Sequence, residues 1–145
     1  MARLTGIVLL ALGLLARVAA AEPEIRLSPH KVRDEVRAVV EGQIAAFRAG
    51  EFTKAYGFAA AGIKRQFDAR LFAQLIKRGY PALLKPGDVD FGVVRDNGEG
   101  TAQVVVTLTD ALKRNTIYRF WLVREQDNWR ISGVVLEQKP RRGDI

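Results

Sequence analysis

Across residues 118–136 apolar and polar positions alternate, stop at a polar pair, and alternate again. Tyr118, Phe120 and Leu122 fall on one side of an extended chain and Arg119, Trp121 and Val123 on the other, because successive side chains of a strand point to opposite faces. Asp127-Asn128 supplies the turn, since short polar side chains tolerate left-handed dihedrals and bond their own backbone. Trp129 and Ile131 restart the apolar face. A hairpin cannot bury such a face by itself. Two more strands are predicted before it, at 89–95 and 101–109, joined by Asp96-Asn97-Gly98 and followed by the polar turn Lys113-Arg114-Asn115. Ala102, Val104, Val106 and Leu108 share one side, and Gly133 is the expected place of a bulge or bend in the last strand.

The first half of the chain has a different period. Val32, Val36, Val39, Val40, Ile44 and Phe47 recur at intervals of three and four, the stripe of an amphipathic helix. Ser28 is its expected cap, Pro29 its first residue and Gly50 its stop. A shorter helix is expected at 51–60, presenting Phe52, Ala55, Tyr56 and Ala59 and broken by Ala61-Gly62. Asp68 caps a third, at 69–78, with Phe72, Leu75 and Ile76 inward, and Gly79, Pro81, Pro86 and Gly87 close the helical half. Helices followed by four sequential strands define an α+β domain: N-terminal helices packed on a curved four-stranded antiparallel sheet. It spans 22–138 with 22–27 as a short lead-in, and the polar tail 139–145 is expected to be frayed.

Residues 1–21 are excluded from that fold. Arg3, the apolar run 7–16 and the small residues Ala19-Ala20-Ala21 predict a signal peptide cut before Glu22, hence export to the periplasm or beyond. An uncleaved anchor is the alternative, but the run falls short of the ~20 residues of a membrane span and Arg17 interrupts it. Removing Arg3 and Arg17 leaves 21 of the 23 basic residues against 16 acidic ones, a charge of +5 instead of +7. The absence of cysteine excludes disulfides, thiol chemistry and lipid attachment at a cysteine. With His30 the only histidine, a His-rich or Cys-rich metal site is excluded too, and no cofactor is expected.

The order of elements resembles the cone-shaped α+β fold of the nuclear-transport-factor-2-like and cystatin-like proteins. Four segments, 43–47 (QIAAF), 55–59 (AYGFA), 62–67 (GIKRQF) and 129–134 (WRISGV), look more narrowly like the bacterial family called domain of unknown function 4864. The resemblance covers about residues 32–136, through packing motifs. It implies a fold and not a chemistry, because cones of this kind host isomerases, dehydratases and pure binding modules.

In such a cone Gln43, Phe47, Tyr56, Phe72, Tyr80, Tyr118 and Phe120 are the expected ligand-facing residues, for a small apolar or amphipathic ligand. Gln43 lies on the apolar helical face, either as a polar handle for that ligand or as a buried amide tying helix to backbone. The tyrosines are either cavity hydroxyls or core residues with wet rims. An isomerase of the steroid type would pair a tyrosine hydroxyl with a carboxylic acid and a second carboxylate, for which the sequence offers Asp88, Asp90 and Asp110 at strand ends, with Asp90 or His30 the candidate partner of a pocket tyrosine, and no spacing that demands catalysis. Val105, Trp121 and Val134 are assigned to the outer sheet face, where an apolar patch suggests a homodimer; a structural dimer with a filled core is a further alternative. The basic pairs at 64–65, 77–78, 113–114 and 141–142 are dispersed and do not form the clustered face that nucleic acid requires. Membrane contact is expected through the leader before cleavage, with weak attraction to anionic lipids a minor option.

Overall fold

Helix α1, His30–Arg48, carries the stripe that the rest of the chain covers. The computed structural model describes residues 23–138, so the expected leader at 1–21 and tail at 139–145 lie outside the described residues. Val36, Val40, Ile44 and Phe47 are buried and Val32 and Val39 half-buried. The start of the helix departs from expectation. Pro29 takes the cap position and no side chain caps the free amides. The Ser28 hydroxyl instead donates to the carboxylate of Asp96, which is buried.

That bond fastens the preceding residues to the sheet. Arg26–Leu27 form a two-residue strand, β1, pairing Arg26 with Asp96 and Leu27 with Arg95. The sheet therefore has five strands instead of the four expected. β2 (Asp88–Asp96), β3 (Thr101–Thr109), β4 (Asn115–Glu125) and β5 (Asn128–Gln138) follow in order, each antiparallel to its neighbour. Two residues are too few to show an alternation, so β1 leaves no periodic signal. The inner face presents Val104, Val106, Tyr118, Phe120, Leu122 and Ile131, which join Val36, Ile44 and Phe47 in one continuous core.

Three register shifts bend this sheet. One lies between Phe91 and Val94 in β2, and one between Ile117 and Tyr118 at the far end of the β4–β5 pairing. In β5, Ile131 stands opposite Leu122 and Gly133 opposite Trp121, which leaves Ser132 as the extra residue of a bulge, next to the glycine expected to mark one. The bulge resets the phase of the strand. Val134 stands opposite Phe120, on the inner face, so its assignment to an outer interface is corrected. The β4–β5 turn sits at Gln126-Asp127 (φ 48° and 65°), one position earlier than expected, with Asn128 already paired to Glu125.

The helix expected at 51–60 is shorter, α2, Phe52–Gly57, and a further helix, α3, Ala61–Gln66, begins at Ala61-Gly62, where a break was expected. The chain between them passes beside β5, with the Ile131 N–H donating to the Phe58 carbonyl and the Ala60 N–H donating to the Ile131 carbonyl, both at 2.8 Å. Part of the exposed edge of β5 is thereby covered. Gly42 makes the close approach possible, because a Cβ there would lie 2.7 Å from the Phe58 ring. Helix α4, Ala69–Gly79, is capped as expected, Asp68 Oδ1 accepting from the Leu71 N–H at 2.9 Å. Phe72 and Ile76 are buried, but Leu75 is 40% exposed and does not join the core. A 3-10 turn, Pro81–Leu84, leads into β2.

The two faces of β4 make different demands on stability. Phe120, fully buried, is expected to destabilise the fold by about 3–5 kcal/mol when replaced by alanine. Trp121, half-buried on the outer face, is expected to cost roughly 1 kcal/mol. Urea unfolding of the two variants checks this, and equal losses would overturn the assignment of faces.

Candidate functional site

Two clefts open where α4 and the 3-10 turn meet the inner face of the sheet. The first, about 180 Å³, is apolar apart from Gln43 and the hydroxyl of Tyr80, and is walled by Ala59, Ile63, Phe67, Phe72, Leu75, Ile76, Ile131, Gly133 and Val134. Gln43 is placed there by the α1 stripe, three residues beyond Val40, and is 2% exposed. Its Nε2 donates to the Ala55 carbonyl at 3.2 Å. That carbonyl already accepts from the Phe58 N–H. No described residue donates to Gln43 Oε1. The buried side-chain atoms left without a partner among the described residues are Arg48 Nε and Trp129 Nε1 and not Gln43 Oε1, so that oxygen is open to the cleft and keeps a free acceptor position there.

Tyr80 closes one end of this cleft. Its hydroxyl donates to the Val134 carbonyl at 3.0 Å, just past the β5 bulge. Its ring packs on Tyr118 at 5.8 Å between centroids. Tyr118 lines the second cleft, about 390 Å³, together with Arg48, Lys85, Asp110, Arg114 and Thr116 and with the apolar residues Pro81, Ala82, Leu108 and Leu136. The two tyrosines thus form the wall between a largely apolar cleft and a cationic one.

Neither Asp110 nor Tyr118, in the second cleft, is tuned for proton transfer near neutrality. The Arg114 backbone N–H, against an opposing effect of burial, and then the Arg114 guanidinium and the Leu112 N–H hold Asp110 below its ordinary value of 3.8. Asp110 Oδ1 accepts from Leu112 N–H at 2.9 Å and Arg114 N–H at 3.0 Å, and Oδ2 accepts from Arg114 Nε at 2.8 Å. The carboxylate is occupied in closing the β3–β4 turn. Burial first, then the Tyr80 phenol, push Tyr118 above 10.0, with the Ala82 backbone acting the other way. A general base works best with a pKa near the operating pH.

Of the expected ligand-facing residues, the structure brings Gln43, Phe72 and Tyr80 together at the first cleft and Tyr118 to the second. Phe47 and Phe120 are buried in the core and line neither. Phe47 stacks beneath Phe72 at 5.9 Å. Tyr56 also lies outside both, its hydroxyl donating to the Phe67 carbonyl at 2.7 Å. The isomerase constellation is not assembled, since His30 and Asp90 line neither cleft and Asp90 pairs with Thr107 in register. Val105 and Trp121 stand on the outer face, half-buried, beside a polar link in which Arg119 binds Glu137 Oε1 at 2.6 Å and Gln103 Oε1 at 2.7 Å. The residue missed in the sequence is Arg48. It continues the series Val36, Val40, Ile44 at the same spacing of four, a cation on an apolar stripe.

The fold and its clefts define a small α+β domain with helices on one face of an antiparallel sheet. Within that class, the chain belongs to the family of the domain of unknown function DUF4864, which matches residues 30–143. Among solved structures it is similar to Aln2 from a Streptomyces species, with a TM-score of 0.52 and 19% sequence identity, over 78% of this chain and 94% of that one. At that identity the likeness concerns the fold alone. No curated protein matches the chain.

Asp110 gives the turn beside the second cleft a defined pH response. A depressed folded pKa contributes stability above the ordinary carboxylate value of 3.8 that is lost as pH falls through the lower folded value. Asp110→Asn is therefore expected to lower the urea midpoint at pH 7, and the gap from the parent protein to close in acid below that value. A gap that persists unchanged in acid would show that charge plays no part in this turn.

Proposed function

We propose that this chain is an exported, non-catalytic module that binds a small apolar ligand bearing a hydrogen-bond donor. The observation that carries the reading is Gln43, buried, committed through one hydrogen bond to Ala55, and facing an apolar cleft with its Oε1 unmatched by any described residue. Cleft walls of aliphatic and aromatic side chains with one placed polar group are the usual make-up of ligand sites. The 180 Å³ of this cleft is below the ~300 Å³ lower range for drug-sized ligands, so it suits a fragment-sized ring or one end of a longer amphipathic molecule. Binding in place of turnover is supported by the placement of His30 and Asp90 outside both clefts. Export is supported by the leader pattern in residues 1–21.

Indole and indene separate the polar handle from simple apolar fit, because the two bicyclic rings differ in one N–H donor. Calorimetric titration is expected to show indole binding roughly threefold to tenfold tighter than indene, the range of one net hydrogen bond. Gln43→Leu is expected to abolish that difference while changing unfolding free energy by about 1 kcal/mol or less, since Ala55 O keeps its bond from Phe58. Equal affinity of the two rings for the parent protein, or binding of neither, would remove the basis of the proposal.

A further inference from the structure

We infer that the second cleft is a separate binding site for a small organic anion, an oxyanion group carried on an apolar body. This goes beyond the Gln43 cleft and does not depend on it. Three cations, Arg48, Lys85 and Arg114, border the cleft, against one carboxylate, Asp110. That carboxylate is consumed by Arg114 and by the backbone of the turn. Arg48 and Lys85 make no ion pair with any described residue.

Arg48 is the decisive residue. Its Nε is sealed from water and has no hydrogen-bond partner among the described residues. A guanidinium partly withdrawn from water without a counter-charge is unfavourable. The C-terminal turn of α1, where Arg48 sits, returns only a modest part of that through the helix dipole. A bound oxyanion would supply the missing charge, and the planar fork of arginine suits carboxylate and phosphate oxygens. Leu108 and Leu136 give the same cleft an apolar wall. Its volume of about 390 Å³ falls inside the ~300–1,000 Å³ range of small-molecule sites. A bare inorganic ion would leave that wall unused.

Calorimetric titration of the protein with hexanoate, hexyl phosphate, 1-hexanol and inorganic phosphate tests this. Hexanoate and hexyl phosphate are expected to bind, 1-hexanol at least tenfold more weakly, and inorganic phosphate more weakly than its hexyl ester. The two anions distinguish carboxylate from phosphate as the preferred headgroup. Arg48→Met is expected to weaken both at least tenfold and to leave indole binding at the first cleft unchanged. Lys85 is exposed, so Lys85→Met serves where Arg48→Met fails to fold, with an expected threefold to fivefold loss and a shallower salt dependence. Hexanol binding as tightly as hexanoate, anion affinity untouched by substitution, or no anion binding at millimolar concentration would each overturn the inference. Failure of indole with success of the anions would strike the Gln43 proposal and spare this one.

Discussion

One surface match underlies everything else in this molecule: the valine, isoleucine and phenylalanine stripe of α1 against the inner face of β3, β4 and β5. Each buried aliphatic or aromatic side chain in that seam contributes about 1.5–3 kcal/mol, and there is no disulfide to share the task. The core includes Val36, Val40, Ile44 and Phe47 from the helix and Val104, Val106, Phe120, Leu122 and Ile131 from the sheet. Both clefts lie along this seam, at places where the match is incomplete. Gln43 and Arg48 are the two polar residues of α1 that run into it, and each marks one cleft.

The incompleteness has a local origin in β5. An uninterrupted strand would alternate Ile131, Gly133 and Val135 toward the helices. The bulge at Ser132 instead keeps Ile131 and Val134 on the inner face and turns Val135 outward, where it is 51% exposed. The carbonyl of Val134 is thereby within reach of Tyr80, which pins the end of α4 to the sheet. On the other side of the bulge, Phe58 and Ala60 bond the backbone of Ile131. A single extra residue thus sets where two different helical segments attach, and the first cleft is the space between those attachments.

What the sequence disclosed follows from period. α1, α4 and the strands from β2 to β5 all repeat their pattern for at least two turns or several alternations, so their existence, and the inward faces of α1, β3 and β4, could be read directly. Features set by single contacts could not. β1 is two residues held by Ser28 and Asp96, partners far apart in the chain. The division of α2 from α3 depends on pairing with β5, a tertiary bond that overrides local helix preference. Val134 falls on the wrong face when strict alternation is carried across a bulge whose position Gly133 indicates but whose effect on phase it does not. Gln43 was legible as a polar residue on an apolar stripe. Arg48 carried the same signal at the same spacing, and a helix-terminal arginine is ordinarily read as a solvated charge near the dipole. The grouping of Lys85 and Arg114 with it comes from two turns meeting in space, which no local pattern records.

The tyrosine wall sets how independent the two clefts are. It consists of one hydrogen bond from Tyr80 to Val134 and one tilted ring pair with Tyr118. A net hydrogen bond contributes about 0.5–1.5 kcal/mol and an aromatic pair a similar amount beyond its buried area. Parting the two therefore costs roughly 1–3 kcal/mol, equivalent to about fivefold to 150-fold in affinity. Under the two proposals, ligands confined to one cleft would meet a closed wall and be selected separately, by an amide on one side and by excess positive charge on the other. A chain long enough to bury about four further methylenes, at about 0.8 kcal/mol each, gains as much as the wall opposes. On those proposals the partition would be firm for small molecules and conditional for long amphipathic ones, and ligand length, more than headgroup chemistry, would decide whether the molecule presents two sites or one.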